Sequence, residues 1–222
     1  MQPIRVIHFS DALCVWAYVS QPRIDRLRDE LGDRVDVEVR FCSVFGASRL
    51  KLTKSWEERG GLSAYGAHVR EIVEAQSQGK AEVHPGVWRD VTPRSSMSCH
   101  AYLCAVRSLE RDGRIAHEDF LRACWALRVA FFRDLRDISA REVQLAVSEE
   151  LSLPRTPIEE ALDSGEAHAE LAGERDLARE HDVRVSPTLI LNEGRQRLNG
   201  NVGFGVIEAN VTELIRQKEA EQ

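Results

Sequence analysis

Residues 10–18 (SDALCVWAY) hold Cys14 in the frame Cys14-Val15-Trp16-Ala17, directly after a short apolar segment at 4–9 (IRVIHF). The spacing is that of a Cys-x-x-Cys redox site whose second thiol is replaced by Ala17. A dithiol can release a mixed disulfide from within, whereas a lone thiolate must wait for an outside thiol. A cysteine at a helix start faces outward-pointing amides and the positive end of the macrodipole, so the position predicts a lowered pKa. Asp11, a nearby anion, and Trp16, which can desolvate the sulfur, oppose that shift. An inert remnant of an ancestral dithiol is the competing reading.

Four further cysteines complete the set: Cys42, Cys99, Cys104 and Cys124. Cys42 ends a second strand parallel to the one before Cys14, so it is a candidate substitute resolving thiol, provided its Cα lies within ~7 Å of its partner's. The other three fall on apolar helices and read as small core residues. His8, within the first strand, reads as a hydrogen-bonded, semi-buried residue. His100 stands beside Ser95, Ser96 and Ser98, a polar cluster that fits either a substrate site or a capped helix start. No group of His, Cys or carboxylates has metal-ligand spacing, and no metal is expected.

The elements that position Cys14 are legible in the periodicity. Residues 4–9 read as a buried strand, and a helix follows from Trp16, with Ile24, Leu27 and Leu31 on one face, Gly32 in the stopping position and Pro22 expected to kink its early turns. Residues 34–41 (RVDVEVRF) alternate strictly and form a second strand, which completes a right-handed βαβ unit. The stretch 50–165 has almost no strand character. Helices are expected at 62–78, 95–112 and 116–133. Ser139 to Glu142 and Thr156 to Glu159 match capping boxes that would start two more, with Pro157 at the first helical position. A charged helix over 166–181 leads to a hairpin, Thr188 to Leu191 and Arg195 to Leu198 around Asn192-Glu193-Gly194. A last amphipathic helix follows Gly203.

Composition excludes several classes. At 222 residues with 43% hydrophobic content, the chain can bury a sizeable core. A net charge of −6 leaves no basic excess for nucleic acid or anionic membrane surfaces. The first residues (MQPIRVIHFSDA) do not read as a signal peptide, and no run reaches the ~20 apolar residues a membrane span needs. With five cysteines at irregular spacing, reduced thiols and a cytoplasmic address are expected.

A βαβ half with a cysteine at its first helix start, joined to a ββα half, resembles the thioredoxin fold. The helical middle resembles the insertion of the DsbA-like branch. The stretch Ser10-Asp11 through Cys14-Val15-Trp16-Ala17-Tyr18 is similar to that branch's Asp, two residues, then Cys-Pro-Trp-Cys-Tyr. Val185-Ser186-Pro187-Thr188 resembles its cis-proline loop. Phe131-Phe132 with Asp137-Ile138-Ser139 resembles the insertion of FrnE-like and 2-hydroxychromene-2-carboxylate isomerase relatives.

The resemblance implies an α/β thioredoxin fold (βαβ plus ββα) with a large all-helical insertion. The thioredoxin domain would comprise 1–50 and 166–222, and the inserted helical domain 51–165. It implies a thiol-disulfide oxidoreductase using Cys14 with glutathione or another small thiol. The substrate-binding set would be Trp16, Ser186 and Pro187, whose cis bond would expose the Ser186 backbone, together with Asn201, where glutathione-using relatives hold the γ-glutamyl carboxylate. Val15 and Ala17 depart from the dithiol pattern. Relatives without the dithiol, the kappa-class glutathione transferases and the chromene carboxylate isomerases, carry serine first. A glutathione-dependent isomerase or transferase for an aromatic or polyketide-like substrate is therefore the alternative. A redox-inactive binding module is the third, and the oligomeric state stays open.

Overall fold

The computed structural model describes residues 2–220. Four strands, β1 (Ile4–Ser10), β2 (Val35–Phe41), β3 (Thr188–Leu191) and β4 (Gln196–Asn199), form one sheet in the order β2-β1-β3-β4. β1 pairs parallel to β2, with Val6 opposite Val37, and antiparallel to β3, with Ile7 opposite Ile190. β3 and β4 close the hairpin. Among the described residues nine α-helices accompany them: α1 (Val15–Leu31), α2 (Ser48–Trp56), α3 (Gly61–Gln76), α4 (Met97–Arg111), α5 (His117–Phe132), α6 (Arg141–Glu150), α7 (Arg155–Asp163), α8 (Glu166–Glu180) and α9 (Phe204–Ala220). This is an α/β thioredoxin fold, βαβ plus ββα, carrying a helical insertion between its halves.

The sheet is covered on both faces, which is why β1 reads as a continuous apolar run. Ile4 and Val6 pack with Ile24 and Leu27 of α1 and with Ile207, Val211 and Leu214 of α9. Ile7 and Phe9 pack on the other face with Cys42, Ala178 of α8 and Ile190. At ~1.5–3 kcal/mol for each fully buried aliphatic side chain, these layers hold the strand that leads into the Cys14 turn. A third and larger cluster fuses the start of α1 with the insertion helices through Tyr18, Tyr102, Phe120, Phe131 and Phe132.

β2 is an edge strand, and side chains from the helices satisfy part of its outer edge. The Phe41 N–H donates to Glu174 Oε2 at 2.7 Å, and Arg107 Nη1 donates to the Val39 carbonyl at 3.2 Å. Glu174 also receives Arg40 and Arg107 on Oε1, at 2.7 and 2.6 Å, so this buried carboxylate is fully paired. Edge protection of this kind blocks strand addition by another chain.

Several local expectations are corrected. α1 includes Pro22 and stops at Gly32, as expected, with φ +50° there. Neither capping box forms. α6 starts after Ala140, while the Ser139 hydroxyl and N–H both bond Asp137 Oδ1, a shorter loop that competes for the serine. α7 starts after Pro154, leaving Pro157 inside its first turn, where amide donors have no helical partner in any case. The sequence reading also passed over α2 and began β4 one residue early.

Candidate active site

β1 delivers the chain into a tight turn, Asp11 to Leu13, and Cys14 occupies the cap position of α1 with extended backbone. Asp11 is fully buried and organises the turn. Its Oδ1 accepts from the Leu13 N–H at 2.9 Å, an Asx turn, and its Oδ2 accepts from the Phe45 N–H and the Ser96 hydroxyl, both at 2.8 Å. Its carbonyl accepts from the Cys14 N–H at 3.1 Å, and its own N–H donates to Ser186 Oγ at 2.9 Å. His100 completes the frame. Its Nε2 accepts from the Ala12 N–H at 3.1 Å, so the ring is neutral there, and it stacks on Phe41 at 5.1 Å. Burial holds its pKa below the ordinary value. His100 thus props the turn from behind and does not line the cleft.

The Ser186–Pro187 bond is cis. The Ser186 carbonyl faces the cysteine, and the Cys14 thiol donates to it at 3.2 Å. Cys14 is 4% exposed, and its pKa is raised, chiefly by burial and further by Asp11. Hydrogen bonding with Ser186 and the Ala17 and Trp16 amides pulls the other way. The expected helix-start effect is therefore present, but burial outweighs it, and the expectation of a lowered pKa is overturned.

Cys14, Val15 and Trp16 form one wall of a cleft of about 600 Å³. The cis-proline loop contributes Arg184, Val185 and Ser186, and the β4 end adds Asn199, Gly200 and Asn201. Val44, Phe45, Lys51, and Tyr65, His68 and Ile72 of α3 complete the lining. No carboxylate lines it, whereas Lys51 and Arg184 do. The structure thus brings Trp16, Ser186 and Asn201 together around Cys14; Pro187 lies behind Ser186 and outside the lining. The Asn201 side chain is already engaged, accepting from Arg23 Nη1 and donating to Gln76 Oε1 at 3.1 Å, so it braces the cleft floor between α1 and α3.

Cys42 is buried at 3% exposure on the sheet face with Ile7 and Phe9, and all five cysteines are free. Burial, Asp11 and Cys14 push its thiol up. His8 departs from expectation: both ring nitrogens are buried without a partner, and burial lowers its pKa to about 3. Among the described residues no group of three or more His, Cys, Asp or Glu side chains is placed to hold a metal. The sequence reading missed Lys51, Tyr65, His68 and Arg184. Tyr65, His68 and Ile72 do share a helix face by their spacing, but that stripe alone does not separate core from cleft.

The sequence matches none of the protein-family models and none of the curated proteins it was compared with. Solved structures do match. A probable DsbA oxidoreductase from Streptomyces coelicolor superposes with a TM-score of 0.72 at 20% identity, over 99% of this chain and 91% of that one. The cytosolic disulfide reductase DsbM from Pseudomonas aeruginosa gives 0.64 at 22% identity over 98% of both chains. A 2-hydroxychromene-2-carboxylate isomerase gives 0.66 at 16% identity over 98% and 99%. The chain has the DsbA-like thioredoxin fold that the resemblance implied.

Proposed function

We propose that this protein is a DsbA-like thiol-disulfide oxidoreductase that works through Cys14 alone, with glutathione as the resolving thiol. The observation that carries the reading is the Cys14 thiol, 3.2 Å from the Ser186 carbonyl, at the wall of a cleft with two cationic side chains and no carboxylate. Such a cleft suits an acidic thiol. The DsbM neighbour has also been solved with GSH, at a TM-score of 0.61 and 20% identity.

In the reaction, the Cys14 thiol first loses its proton to solvent. The thiolate attacks a glutathione mixed disulfide, forms Cys14–S–S–glutathione and expels the other sulfur as a thiolate, which takes up a proton. A second glutathione thiolate attacks the adduct, frees Cys14 and leaves as oxidised glutathione. The substrate sulfur leaves as a free thiol, and one free glutathione is consumed as it joins the transferred glutathionyl group in oxidised glutathione. An internal thiol would resolve far faster, with effective molarities up to ~10⁵ M in well-oriented cases, so turnover should follow the glutathione concentration.

The domain division at 51–165 belongs to this reading: the thioredoxin part supplies Cys14, Ser186 and Asn201 to the cleft lining and the insertion supplies Lys51, Tyr65 and His68. Five unpaired thiols suit a reducing, cytoplasmic setting. Among the described residues no helix is long and apolar enough to cross a membrane.

A second reading, a glutathione-dependent isomerase or transferase, is favoured by one observation: the resting Cys14 is a protonated donor, suited to holding a bound glutathione sulfur. Mass spectrometry after treatment with oxidised glutathione, with Cys14→Ser as control, separates the two. One adduct at Cys14, absent in the variant and released by glutathione, supports the oxidoreductase. Tight binding of reduced glutathione without an adduct supports the isomerase or transferase.

A further inference from the structure

Tyr65 is buried to 7% exposure on the cleft-facing side of α3, and its hydroxyl makes no hydrogen bond to any described residue. The hydroxyl is not among the buried side-chain atoms that lack a partner, so it opens to the cleft, where it can donate to a ligand. Its aim is fixed. The ring packs against Trp56 at 5.2 Å and Trp88 at 5.5 Å. Next to it, Gly66 lies so close to the Val87 carbonyl that an added Cβ would stand 2.2 Å from the oxygen. α3 therefore has its rotation set at this point, with Tyr65 placed in the cleft lining that also includes Cys14.

The hydroxyl does not bond the Cys14 sulfur, which is already turned to the Ser186 carbonyl. The two groups nevertheless share the cleft closely enough that charge on Cys14 raises the phenol's pKa, after the larger effect of burial. In thiol–disulfide exchange three sulfurs line up, so the departing one lies at least two S–S lengths, ~4 Å, beyond Cys14 Sγ. The cleft that Cys14 and Tyr65 both line, at about 600 Å³, has room for that sulfur.

We propose that the Tyr65 hydroxyl donates a hydrogen bond to the sulfur that leaves when Cys14 attacks a disulfide. The inference rests on the oxidoreductase reading above. No proton is transferred: the S–S bond breaks, the leaving sulfur takes the electron pair, and the phenol O–H stabilises the thiolate until solvent protonates it. A donor placed where charge develops acts on the transition state more than on the bound substrate.

The test is Tyr65→Phe, which keeps the ring between Trp56 and Trp88. Cys14 is reacted with oxidised glutathione and, separately, with iodoacetamide, whose leaving group is iodide. A hydrogen bond to a charged group predicts a loss of roughly 10- to 100-fold with oxidised glutathione, with alkylation changed less than about twofold. Equal losses in both reactions, or none in either, overturn the proposal. If neither the variant nor the unaltered protein forms an adduct at Cys14, the oxidoreductase reading itself fails, a separate outcome. Should Tyr65→Phe not fold, the unaltered protein is reacted with glutathione mixed disulfides whose leaving thiols span a range of pKa. A rate less sensitive to leaving-group pKa than that of free cysteine supports the proposal, and equal sensitivity overturns it.

Discussion

Replacing Asp11 by Asn tests whether the buried carboxylate both builds the Cys14 turn and restrains its acidity. The carboxylate accepts three hydrogen bonds, from the Leu13 N–H, the Phe45 N–H and the Ser96 hydroxyl, all within 2.9 Å. Asparagine keeps one acceptor oxygen. If that oxygen takes the Oδ2 place, the amide nitrogen confronts the Leu13 N–H. If it takes the Oδ1 place, the nitrogen confronts the Phe45 N–H while the Ser96 hydroxyl turns to accept. Either way one buried backbone donor loses its partner, at ~1–3 kcal/mol, and the bonds that survive weaken by ~1 kcal/mol each from charged to neutral. Relief of the carboxylate's own desolvation offsets part of this, so the expected net loss is about 2 kcal/mol in urea unfolding.

The same substitution removes an anion that raises the Cys14 pKa. The thiol should become more acidic, and the pH midpoint of iodoacetamide alkylation should move down. Loosening of the turn that lets water reach the sulfur would lower the midpoint too but would also raise the plateau rate, so loss of the anion is read as a lower midpoint at an unchanged plateau. An unchanged stability, or a midpoint that stays or moves up, would refute the reasoning.

Other substitutions and conditions probe separate parts of the fold. His8 is held neutral by burial, with a pKa near 3 against an ordinary value of 6.5. Between these values the unfolded chain binds more protons than the native one, so stability should be intact above pH 6.5 and fall by up to ~1.4 kcal/mol per pH unit as pH drops towards 3. His8→Leu should flatten that slope in acid titrations of unfolding, with no loss at pH 7, because both nitrogens it removes are unpartnered. At the alkaline end, burial raises Cys104 and Cys124 from 9.0 to about 12. The native state then binds more protons than the unfolded chain, stability falls from pH 9 upward, and Cys124→Ala should lessen the fall. Lys51→Met and Arg184→Met should each weaken glutathione binding by roughly 2- to 5-fold in titration calorimetry, an effect that fades in high salt because both charges sit at an open cleft. Gly66→Ala places a methyl against the Val87 carbonyl oxygen and should cost about 2 kcal/mol or more in urea unfolding.

What the sequence made legible follows the range of the forces involved. The βαβ and ββα halves came from periodicity and turn residues, which act within a few positions, and Cys14 was placed correctly because a strand end and a helix start are local events. The capping boxes failed at the same range: a serine three residues before a glutamate fits the pattern, but at Ser139 the nearer Asp137 oxygen takes the hydroxyl. The turn around Asp11 was not legible, since its partners Phe45 and Ser96 lie 34 and 85 positions away. Nor was the placement of Tyr65 in the cleft lining, beside Gly66 where α3 meets a carbonyl in a distant loop.

The acidity of Cys14 shows most clearly why local reading gives the wrong sign. The Trp16 and Ala17 amides, adjacent in sequence, favour the thiolate, and they are present as expected. The opposing burial depends on packing from outside the local segment, including the Ser186 carbonyl that the thiol faces across 172 positions. A helix start supplies amides at a fixed and modest strength, whereas desolvation grows with every remote segment that closes over the sulfur. A cysteine at such a position is therefore acidic only where the rest of the chain leaves it wet, and here the chain does not.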